Sequence, residues 1–472
     1  MQVLVIGATG LVGAHVMRAL RAAGLEVAGA SRRRPAGAAA HHWIELDFGS
    51  LTATQQWLPL LHGYDAVVNA VGIIRETREG DFDRLHRAAP VALFAACEQL
   101  GLRVLQVSAL GSHPQAPNGY WRSKGAAEAD LLARNVDATI IRPSLVYGDD
   151  GASSVLFRML ATLPVLMLPA AHRALVQPIH VADLADVVVR LLTKQVRPGT
   201  SVLPGLPHAP VVPHTPGMPV TPGLPGLPAT SAIPATPAAP ATLPRELAVV
   251  GPRAMTMAGY LADLRGGMQA PAAAVLSLPA PVARVAAHLA ALAPSSAFTP
   301  ESLLMLERSA DGSNTADAAP AQALLGRPLR DPATFARPAQ RITAAWSWGA
   351  PLVTVAIALM WLITAYVSWF AWPHAESRAW LAACGVPPAW QEPMLLAASV
   401  TDAAIGVLLL LRPRRWLWAA QLALVGGYTA MLSVFLPDFW RHPFGPLTKN
   451  LPLLALMLLM WRASPRNHRG ER

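Results

Sequence analysis

The stretch that decides the fold of the N-terminal half is Val3-Leu4-Val5-Ile6-Gly7-Ala8-Thr9-Gly10-Leu11-Val12-Gly13. Its first four residues form a continuous apolar run, which is typical of a parallel strand buried on both faces. Three regularly spaced glycines follow, and residues 14–23 have helical character. A glycine turn between a strand and a helix start places backbone N–H groups where they can bind a pyrophosphate. We therefore predict a dinucleotide site whose contacts are Gly7, Thr9, Gly10, Leu11, Val12 and Gly13.

A second predicted strand, residues 26–30, ends in the basic segment Ser31-Arg32-Arg33. An NAD site takes a carboxylate near this point for the ribose hydroxyls, whereas arginine suits the 2′-phosphate of NADP. We therefore predict NADP(H) in preference to NAD(H), with Ser31, Arg32 and Arg33 as contacts. The competing explanation is a general arginine bias, because only Lys124, Lys194 and Lys449 among the 38 basic residues are lysines.

Further strand-like runs occur at residues 66–69, 103–107 and 138–141, with helical patterns between them. This alternation predicts a parallel sheet that is covered by helices on both faces. The expected fold class is α/β, a Rossmann-like doubly wound parallel sheet, over residues 1–340.

Tyr120 and Lys124 lie four residues apart in Tyr120-Trp121-Arg122-Ser123-Lys124. On a helix this spacing brings the phenol and the ammonium to the same face. A tyrosine with the ordinary pKa of about 10 is a poor proton donor near neutrality. We expect the charge of Lys124, together with an oxidised nicotinamide, to lower the pKa of Tyr120 so that it acts as the acid/base. Ser108, at the end of a predicted strand, is expected to hydrogen-bond a substrate oxygen.

Taken together, these motifs resemble the short-chain dehydrogenase/reductase superfamily, and within it the atypical NAD(P)H-binding branch related to the complex I accessory subunit. The segments that carry the resemblance, besides the glycine turn and Tyr120/Lys124, are Asp47, Asn69-Ala70-Val71-Gly72, Val107-Ser108-Ala109-Leu110-Gly111, Arg142-Pro143-Ser144-Leu145-Val146-Tyr147-Gly148 and Gln177-Pro178-Ile179-His180-Val181-Ala182-Asp183. The resemblance implies that Asp47 holds the adenine side of the cofactor and that Asn69 and Gly72 also contact it. It also implies that Tyr120 is the acid/base, Lys124 its helper and Ser108 the residue that orients the substrate.

His180 and Asp183 leave two interpretations open, a catalytic pair and a structural motif, of which we favour the structural one. The sequence contains no Gly-x-Ser-x-Gly motif and no histidine pair at helical spacing, so we predict no metal site.

Residues 204–244 contain 13 of the 44 prolines and no charged residue, and most of these prolines recur every third position. Polyproline II has three residues per turn, so the prolines would stack on one face of an extended rod. The segment is either a ligand for a proline-binding module or a low-complexity insertion without a packed core, and we favour the insertion. Because residues 199–202 and 246–252 resemble two pieces of one domain, we predict a disordered loop within the α/β domain.

The C-terminal quarter, residues 342–472, is unusually apolar. Only 14% of the whole chain is charged and its mean hydropathy is +0.36, whereas a soluble domain is about 25% charged. A span needs about 20 apolar residues, and we predict an all-α four-helix transmembrane bundle with helices at about 351–371, 393–411, 416–436 and 448–461. Buried helices of a soluble core are the alternative.

The arginines of this quarter predict its orientation. Arg412, Arg414 and Arg415 lie on the same side as the C-terminal tail with Arg462, Arg466, Arg469 and Arg472. By the positive-inside rule this side is cytoplasmic, so we predict a multi-pass protein of the bacterial inner membrane with the Rossmann domain and C-terminus in the cytoplasm. Half of the net charge of +10 lies in this quarter, where the arginines set the membrane topology. The basic clusters of the chain are short, so we predict no nucleic-acid partner.

This quarter resembles the DoxX-like family of four-helix membrane domains. The resemblance rests on residues 377–387, on Ala398-Ser399-Val400-Thr401-Asp402-Ala403-Ala404-Ile405-Gly406 and on Pro443-Phe444-Gly445-Pro446-Leu447-Thr448-Lys449-Asn450. Asp402 falls within a predicted span, where an unpaired carboxyl group is costly. Its role is either proton or substrate handling or a helix-packing hydrogen bond, with Gln421 or Lys449 as the expected partner.

The whole sequence therefore predicts a membrane-anchored NAD(P)H-dependent oxidoreductase or epimerase-like enzyme. Its expected substrate is a lipid-soluble carbonyl compound, a quinone or a lipid-linked sugar, which receives a hydride while Tyr120 supplies the proton. The alternative is a cofactor-binding but non-catalytic module that senses redox state or stabilises a membrane redox complex.

Overall fold

The computed structural model describes residues 1–39, 42–169, 171–193, 244–291, 300–308, 314–443 and 445–465. It divides into two compact units, Met1–Arg341 and Ile342–Arg472. The predicted proline-rich insertion at 204–244 falls almost entirely outside the described residues, as do Arg466, Arg469 and Arg472.

The first unit is built on a sheet of seven described strands, all of them parallel to their neighbours. In spatial order they are β11 (Glu246–Val249), β6 (Ala138–Pro143), β5 (Arg103–Val107), β4 (Ala66–Asn69), β1 (Gln2–Ile6), β2 (Glu26–Ser31) and β3 (Trp43–Glu45). The order reverses between β1 and β4, which is where an open α/β sheet forms a ligand crevice at the carboxyl ends of its strands. This parallel Rossmann-like sheet confirms the predicted fold class.

Alternate residues of β1 enter two different cores. Val3 and Val5 pack with Val16 on one face of the sheet, whereas Leu4 and Ile6 pack with Trp57 on the other. All four strand residues are fully buried, because a strand covered by helices on both faces has no polar side. The sheet is therefore doubly wound.

Helices and short strands complete the first unit. The helices are α1 (Leu11–Ala22), α2 (Thr54–Leu61), α3 (Asp81–Asp83), α4 (Ala89–Leu100), α5 (Gly119–Ala133), α6 (Ala152–Ala161), α7 (Val181–Thr193), α8 (Met257–Gly267), α9 (Ala280–Ala291), α10 (Pro300–Arg308) and α11 (Ala319–Leu325). A π-helical turn, Arg84–Ala88, joins α3 to α4, and short 3₁₀ turns lie at Phe48–Ser50, Pro332–Thr334 and Pro338–Gln340. The remaining strands are β7 (Val146–Tyr147), β8 (Val165–Pro169), β9 (Leu175–Val176), β10 (Ile179–His180), β12 (Met255–Thr256) and β13 (Ala274–Leu278).

The second unit consists of helices. They are α12 (Arg341–Tyr366), which continues as a π-helix over Val367–Ala371, then α13 (His374–Ala383), α14 (Pro388–Leu411), α15 (Arg415–Phe435) and α16 (Asn450–Ala463), with a 3₁₀ turn at Pro437–Trp440. Among the described residues, three continuous helical segments, and not the four predicted, are long and apolar enough to cross a membrane, namely Pro338–Ala371, Pro388–Leu411 and Arg415–Phe435. The apolar helix α16 has 14 residues and is about 21 Å long at 1.5 Å per residue, short of a full span.

The helix bounds in this unit differ from the sequence prediction in two ways. The first two spans begin before Pro351 and Pro393, which lie inside α12 and α14. Such prolines are tolerated in membrane helices because neighbouring groups satisfy the freed backbone carbonyl. Residues 372–392, predicted as a loop, contain helix α13, which hydropathy alone does not reveal because its residues are polar as well as apolar.

Candidate functional site

The glycine turn after β1 is held by the end of the neighbouring strand. The backbone N–H groups of Gly7 and Ala8 both donate to the carbonyl of Ala30, at 3.0 and 3.2 Å. Gly7 has a φ of +78°, and a Cβ atom there would lie 3.0 Å from the backbone of Ala70. At Gly13 a Cβ atom would lie only 2.2 Å from the Gly7 carbonyl oxygen. Both positions therefore require glycine if the turn is to stay this compact.

The N-terminus of α1 suits an anionic group. Gly10 is its N-cap with no side chain to cap the helix, and the first turn contains no acidic residue. The first N–H groups of a helix have no partner within it, and they carry a partial positive charge. Leu11 and Val12 are half-buried and Thr9 is exposed on this turn. The six predicted contact residues lie in one turn, called the cradle below, and their binding of a dinucleotide pyrophosphate stays a prediction.

The basic segment after β2 is exposed. The Ser31 hydroxyl donates a hydrogen bond to the Arg33 carbonyl oxygen at 2.7 Å. The serine therefore stabilises the turn that contains the arginines. Arg32 and Arg33 are both exposed, and within the described part of the chain neither forms an ion pair. The guanidinium groups remain available for a phosphate.

Two predicted cofactor residues also stabilise local turns. Asp47 follows β3, is exposed, and caps the 3₁₀ turn by accepting from Gly49 N at 3.3 Å. Asn69, fully buried at the end of β4, accepts from Val71 N at 3.2 Å and donates to Gln106 Oε1 at 2.8 Å. The amide of Asn69 therefore shapes the loop that leads to Gly72.

Gly72, Tyr120 and Lys124 come together in the fold. Lys124 Nζ lies 5.7 Å from the centre of the Tyr120 ring, and it donates to the Val107 carbonyl oxygen at 3.4 Å. A Cβ atom on Gly72 would lie 3.4 Å from this same Nζ. Lys124 is 5% exposed, which is rare for lysine unless its charge has a specific use or partner.

His86 joins this cluster, and sequence reasoning missed it. It stacks on Phe82 at 5.4 Å and meets the Tyr120 ring edge-on at 5.5 Å. Because its Nε2 accepts from Ile73 N at 3.0 Å, the imidazole proton lies on Nδ1, which donates to Ser123 Oγ at 3.1 Å. The π-helical turn that carries His86 is a feature often found at functional sites. A single histidine distant from Tyr120 in sequence has no spacing signal that could have revealed it.

Burial controls the ionisation of these groups. It raises the pKa of Tyr120 to about 12 and lowers the pKa of Lys124 to about 8, although the charge of Glu128 opposes the second shift. Burial, with the nearby charge of Lys124, also lowers the pKa of His86 to about 2. The expected lowering of the Tyr120 pKa therefore does not occur in the chain alone, because removing the phenolate from water outweighs the attraction of the ammonium.

Ser108 follows β5 and is 4% exposed. Its hydroxyl donates to Ser112 Oγ at 3.3 Å, and its backbone N–H is held by the Ile141 carbonyl. Asn118, which the sequence analysis did not select, caps α5 by accepting from Trp121 N at 2.8 Å. Its Nδ2 is buried and has no hydrogen-bond partner among the described residues, so it is a further polar group two residues from Tyr120.

His180 and Asp183 both form contacts that stabilise the fold, and the structural interpretation stays the favoured one. Asp183 is fully buried and forms ion pairs with Arg327, at 2.8 Å, and Arg330. His180 Nδ1 accepts from Ala182 N at 3.1 Å at the start of α7. Both side chains therefore hold the helix in place.

In the membrane unit, Asp402 is 7% exposed and faces the interior. Its Oδ1 has no partner in the described part of the chain. The expected partner Gln421 instead accepts from Trp361 Nε1 at 2.8 Å and donates to the Leu417 carbonyl at 3.0 Å, and Lys449 is exposed. The prediction that one of these residues pairs with Asp402 is wrong, because Gln421 already has a tryptophan partner within the bundle.

Known proteins resemble the two parts of the chain separately. Residues 3–203 match the NAD dependent epimerase/dehydratase family, and residues 358–458 match the DoxX-like family. A ceramide reductase of Caulobacter vibrioides is 29% identical over 188 residues, which cover 39% of this chain and 58% of the relative. The NADH dehydrogenase (ubiquinone) 1 alpha subcomplex subunit 9 of Arabidopsis thaliana is 31% identical over 134 residues, or 27% of this chain and 33% of the relative. The chain thus spans less than two thirds of either relative.

A solved structure of MoeE5 in complex with UDP-glucuronic acid and NAD has a TM-score of 0.46 and 20% identity, covering 74% of this chain and all of that one. The family matches confirm both resemblances drawn from the sequence. Residues 3–203 are thus similar to the NAD dependent epimerase/dehydratase family, and residues 358–458 are similar to the DoxX-like family.

Proposed function

We propose that the protein is a membrane-anchored, NADPH-dependent oxidoreductase that reduces a carbonyl group of a lipid-soluble substrate. The observation that carries the proposal is the buried ammonium of Lys124, 5.7 Å from the Tyr120 ring. Burying a charged lysine side chain away from water costs free energy. Such a cost is expected where the charge acts on a neighbouring group, as at many active sites.

The residues of the site have distinct roles in this proposal. The glycine turn and the start of α1 would hold the pyrophosphate of a nicotinamide cofactor, which when bound in its reduced form would supply a hydride for the carbonyl carbon. Tyr120 Oη donates its proton to the carbonyl oxygen, so the product is an alcohol and the tyrosine becomes a phenolate. Lys124 stabilises that phenolate, while Ser108 hydrogen-bonds the substrate oxygen.

Two observations support the substrate class. The relative from Caulobacter vibrioides is named a ceramide reductase, and the second unit contains helices able to span a bilayer. A substrate that partitions into the membrane would explain why both domains occur in one chain. The arginines beside Pro413 support an orientation with that end of the bundle in the cytoplasm of a bacterial inner membrane.

The decisive experiment compares Tyr120→Phe with Tyr64→Phe in purified protein reconstituted into nanodiscs. NADPH oxidation is followed with ceramide-like ketones and quinones as acceptors, and NADPH binding is measured separately. We expect Tyr120→Phe to lose turnover by about 100-fold or more while it keeps NADPH binding. Tyr64→Phe, which makes the same substitution away from the cluster, keeps both. Undiminished turnover in Tyr120→Phe would overturn the catalytic role.

The preference for NADPH has its own test. The double variant Arg32→Gln/Arg33→Gln removes two charges expected to contact the 2′-phosphate, so NADPH binding weakens roughly tenfold or more and NADH binding changes little. The neighbouring Arg34→Gln variant is the matched control. Equal losses for both nucleotides would refute a 2′-phosphate contact.

A second candidate function is a non-catalytic NAD(P)H-binding module. The raised pKa of Tyr120, about 12, favours it, because a phenol that holds its proton so firmly is a weak acid catalyst. The named complex I relative adds support for a role in a membrane redox complex. NADPH binding without turnover on any carbonyl or quinone tested, in wild-type protein, would favour this function.

A further inference from the structure

An open apolar cavity lies at one end of the membrane unit. It has a volume of about 420 Å³ and is lined by residues from α12, α14, α15 and α16, among them Trp346, Ala350, Leu409, Trp418 and Met460. None of the described residues that line it is charged. Its size lies within the roughly 300–1,000 Å³ typical of small-molecule sites.

Arginines surround this end of the bundle. Pro413 lines the cavity, and it lies within the sequence Arg412-Pro413-Arg414-Arg415 that connects α14 to α15. Arg412 and Arg414 are exposed. Among the described residues of the unit, none of the three arginines forms an ion pair. The positive charge beside the cavity is therefore not neutralised by any acidic side chain among the described residues.

Arg415 is held in a defined position. Its guanidinium carbon lies 4.9 Å from the centre of the Trp461 ring, and Trp461 follows the cavity-lining residue Met460. The Arg415 Nε is buried without a hydrogen-bond partner in the described part of the chain. A guanidinium group that packs over an aromatic ring still has N–H groups at its own edge, and these can donate to a phosphate.

Neither Glu392 nor Asp438 supplies an anion at the arginine segment. Glu392 lies in the first turns of α14 and Asp438 lies beyond the end of α15. Both helices have their other ends at the arginine segment, so these carboxylates belong to the opposite end of the bundle. An apolar cavity beside unpaired arginines is complementary to a molecule with an anionic head and a hydrocarbon chain.

We propose that the membrane unit binds an anionic phospholipid, with an acyl chain in this cavity and the head-group phosphate on Arg415 and its neighbours. This binding site is separate from the dinucleotide cradle and does not depend on the proposed activity. Basic pockets between membrane helices bind anionic head groups in the same manner.

Native mass spectrometry of the full chain tests the proposal, with phosphatidylglycerol and phosphatidylcholine as the two probes. We expect one phosphatidylglycerol to be retained per chain, and phosphatidylcholine to bind at least fivefold more weakly. Arg415→Gln should weaken phosphatidylglycerol binding about fivefold, since each basic group near a membrane surface contributes about 1 kcal/mol. Ala350→Phe should fill the cavity and abolish retention.

The controls are Arg441→Gln, at the opposite end of the bundle, and Val400→Phe, at an exposed position on α14; both should retain the lipid like wild type. Equal binding of the two lipids, or unchanged binding in Arg415→Gln, would overturn the proposal. So would displacement of the lipid by millimolar inorganic phosphate, because the site would then bind phosphate without a chain. If Ala350→Phe does not fold, Arg415→Gln decides the result.

Discussion

His86 Nδ1 lies 3.1 Å from Ser123 Oγ, and this hydrogen bond connects two residues 37 positions apart. On its other side the same imidazole accepts from Ile73 N, while Ser123 Oγ donates to the Tyr120 carbonyl at 3.1 Å. One buried ring therefore links the loop after β4 to the helix that carries Tyr120 and Lys124. We interpret His86 as a positioning residue for the proposed site.

The pH dependence of stability tests this link. The pKa of His86 is about 2 in the folded chain, against about 6.5 when unfolded. The unfolded chain therefore binds more protons below pH 6.5, so folding stability should fall on acidification by up to about 1.4 kcal/mol per pH unit. His86→Gln should reduce the drop in apparent melting temperature between pH 7.5 and 5.5. The exposed His62→Gln variant should keep the drop of wild type, and an equal drop in His86→Gln would contradict the assignment.

Lys124 gives a second test, at alkaline pH. Burial lowers its pKa from the ordinary 10.5 to about 8, so the unfolded chain holds the extra proton between pH 8 and 10.5. The cost of burying the ammonium is present in full below pH 8 and is relieved as the pH rises through that interval. Lys124→Met should therefore raise the apparent melting temperature at pH 7 and show less gain than wild type between pH 8 and 10. A lower melting temperature for Lys124→Met at pH 7 would show that the ammonium stabilises the fold.

The close approach at Gly13 predicts a cofactor-binding defect. A Cβ atom there would lie 2.2 Å from the Gly7 carbonyl oxygen, so Gly13→Ala must push α1 away from the turn. Overpacking of this kind costs about 1–3 kcal/mol, and NADPH binding should weaken roughly tenfold or more. Gly266→Ala is the matched control, because a Cβ atom at Gly266 meets nothing within 4 Å. Isothermal titration with NADPH checks both, and wild-type affinity in Gly13→Ala would contradict the cradle.

The unpartnered carboxyl group of Asp402 predicts a stabilising substitution. A buried polar group without a hydrogen bond costs about 1–3 kcal/mol, so Asp402→Leu should raise the apparent melting temperature in detergent. Glu392→Leu should lower it, because Glu392 Oε1 lies 2.7 Å from His374 Nδ1. Differential scanning fluorimetry in one detergent compares the two. Destabilisation by Asp402→Leu would mean that the carboxyl group has a partner in the folded protein.

The strands illustrate what consecutive residues encode. The predicted runs at 66–69 and 103–107 coincide with β4 and β5, because each contains consecutive apolar residues next to polar ones. The three-residue strand β3 and the late strand β11 were not predicted as strands. Three residues are too few to show a period, and β11 pairs with β6 across a separation of more than 100 residues.

The membrane unit also combines features that consecutive residues encode with features that depend on packing between distant residues. Hydropathy located its long helices, because a span must be apolar over most of its length whatever it packs against. Hydropathy did not predict that two of these helices start before Pro351 and Pro393. It also did not predict the hydrogen bond between Trp361 and Gln421. Both depend on which neighbouring helix supplies the compensating contact.

The sequence by itself determined the glycine turn, the βα rhythm, the Tyr120–Lys124 spacing and the apolar spans, since each is a pattern of residues near one another along the chain. Only the tertiary structure decided that His86 joins Tyr120, that Asp402 lacks its expected partner, and that burial raises the pKa of Tyr120. Hydrogen bonds and desolvation depend on groups that the folded chain brings together from distant positions, and no local pattern records them.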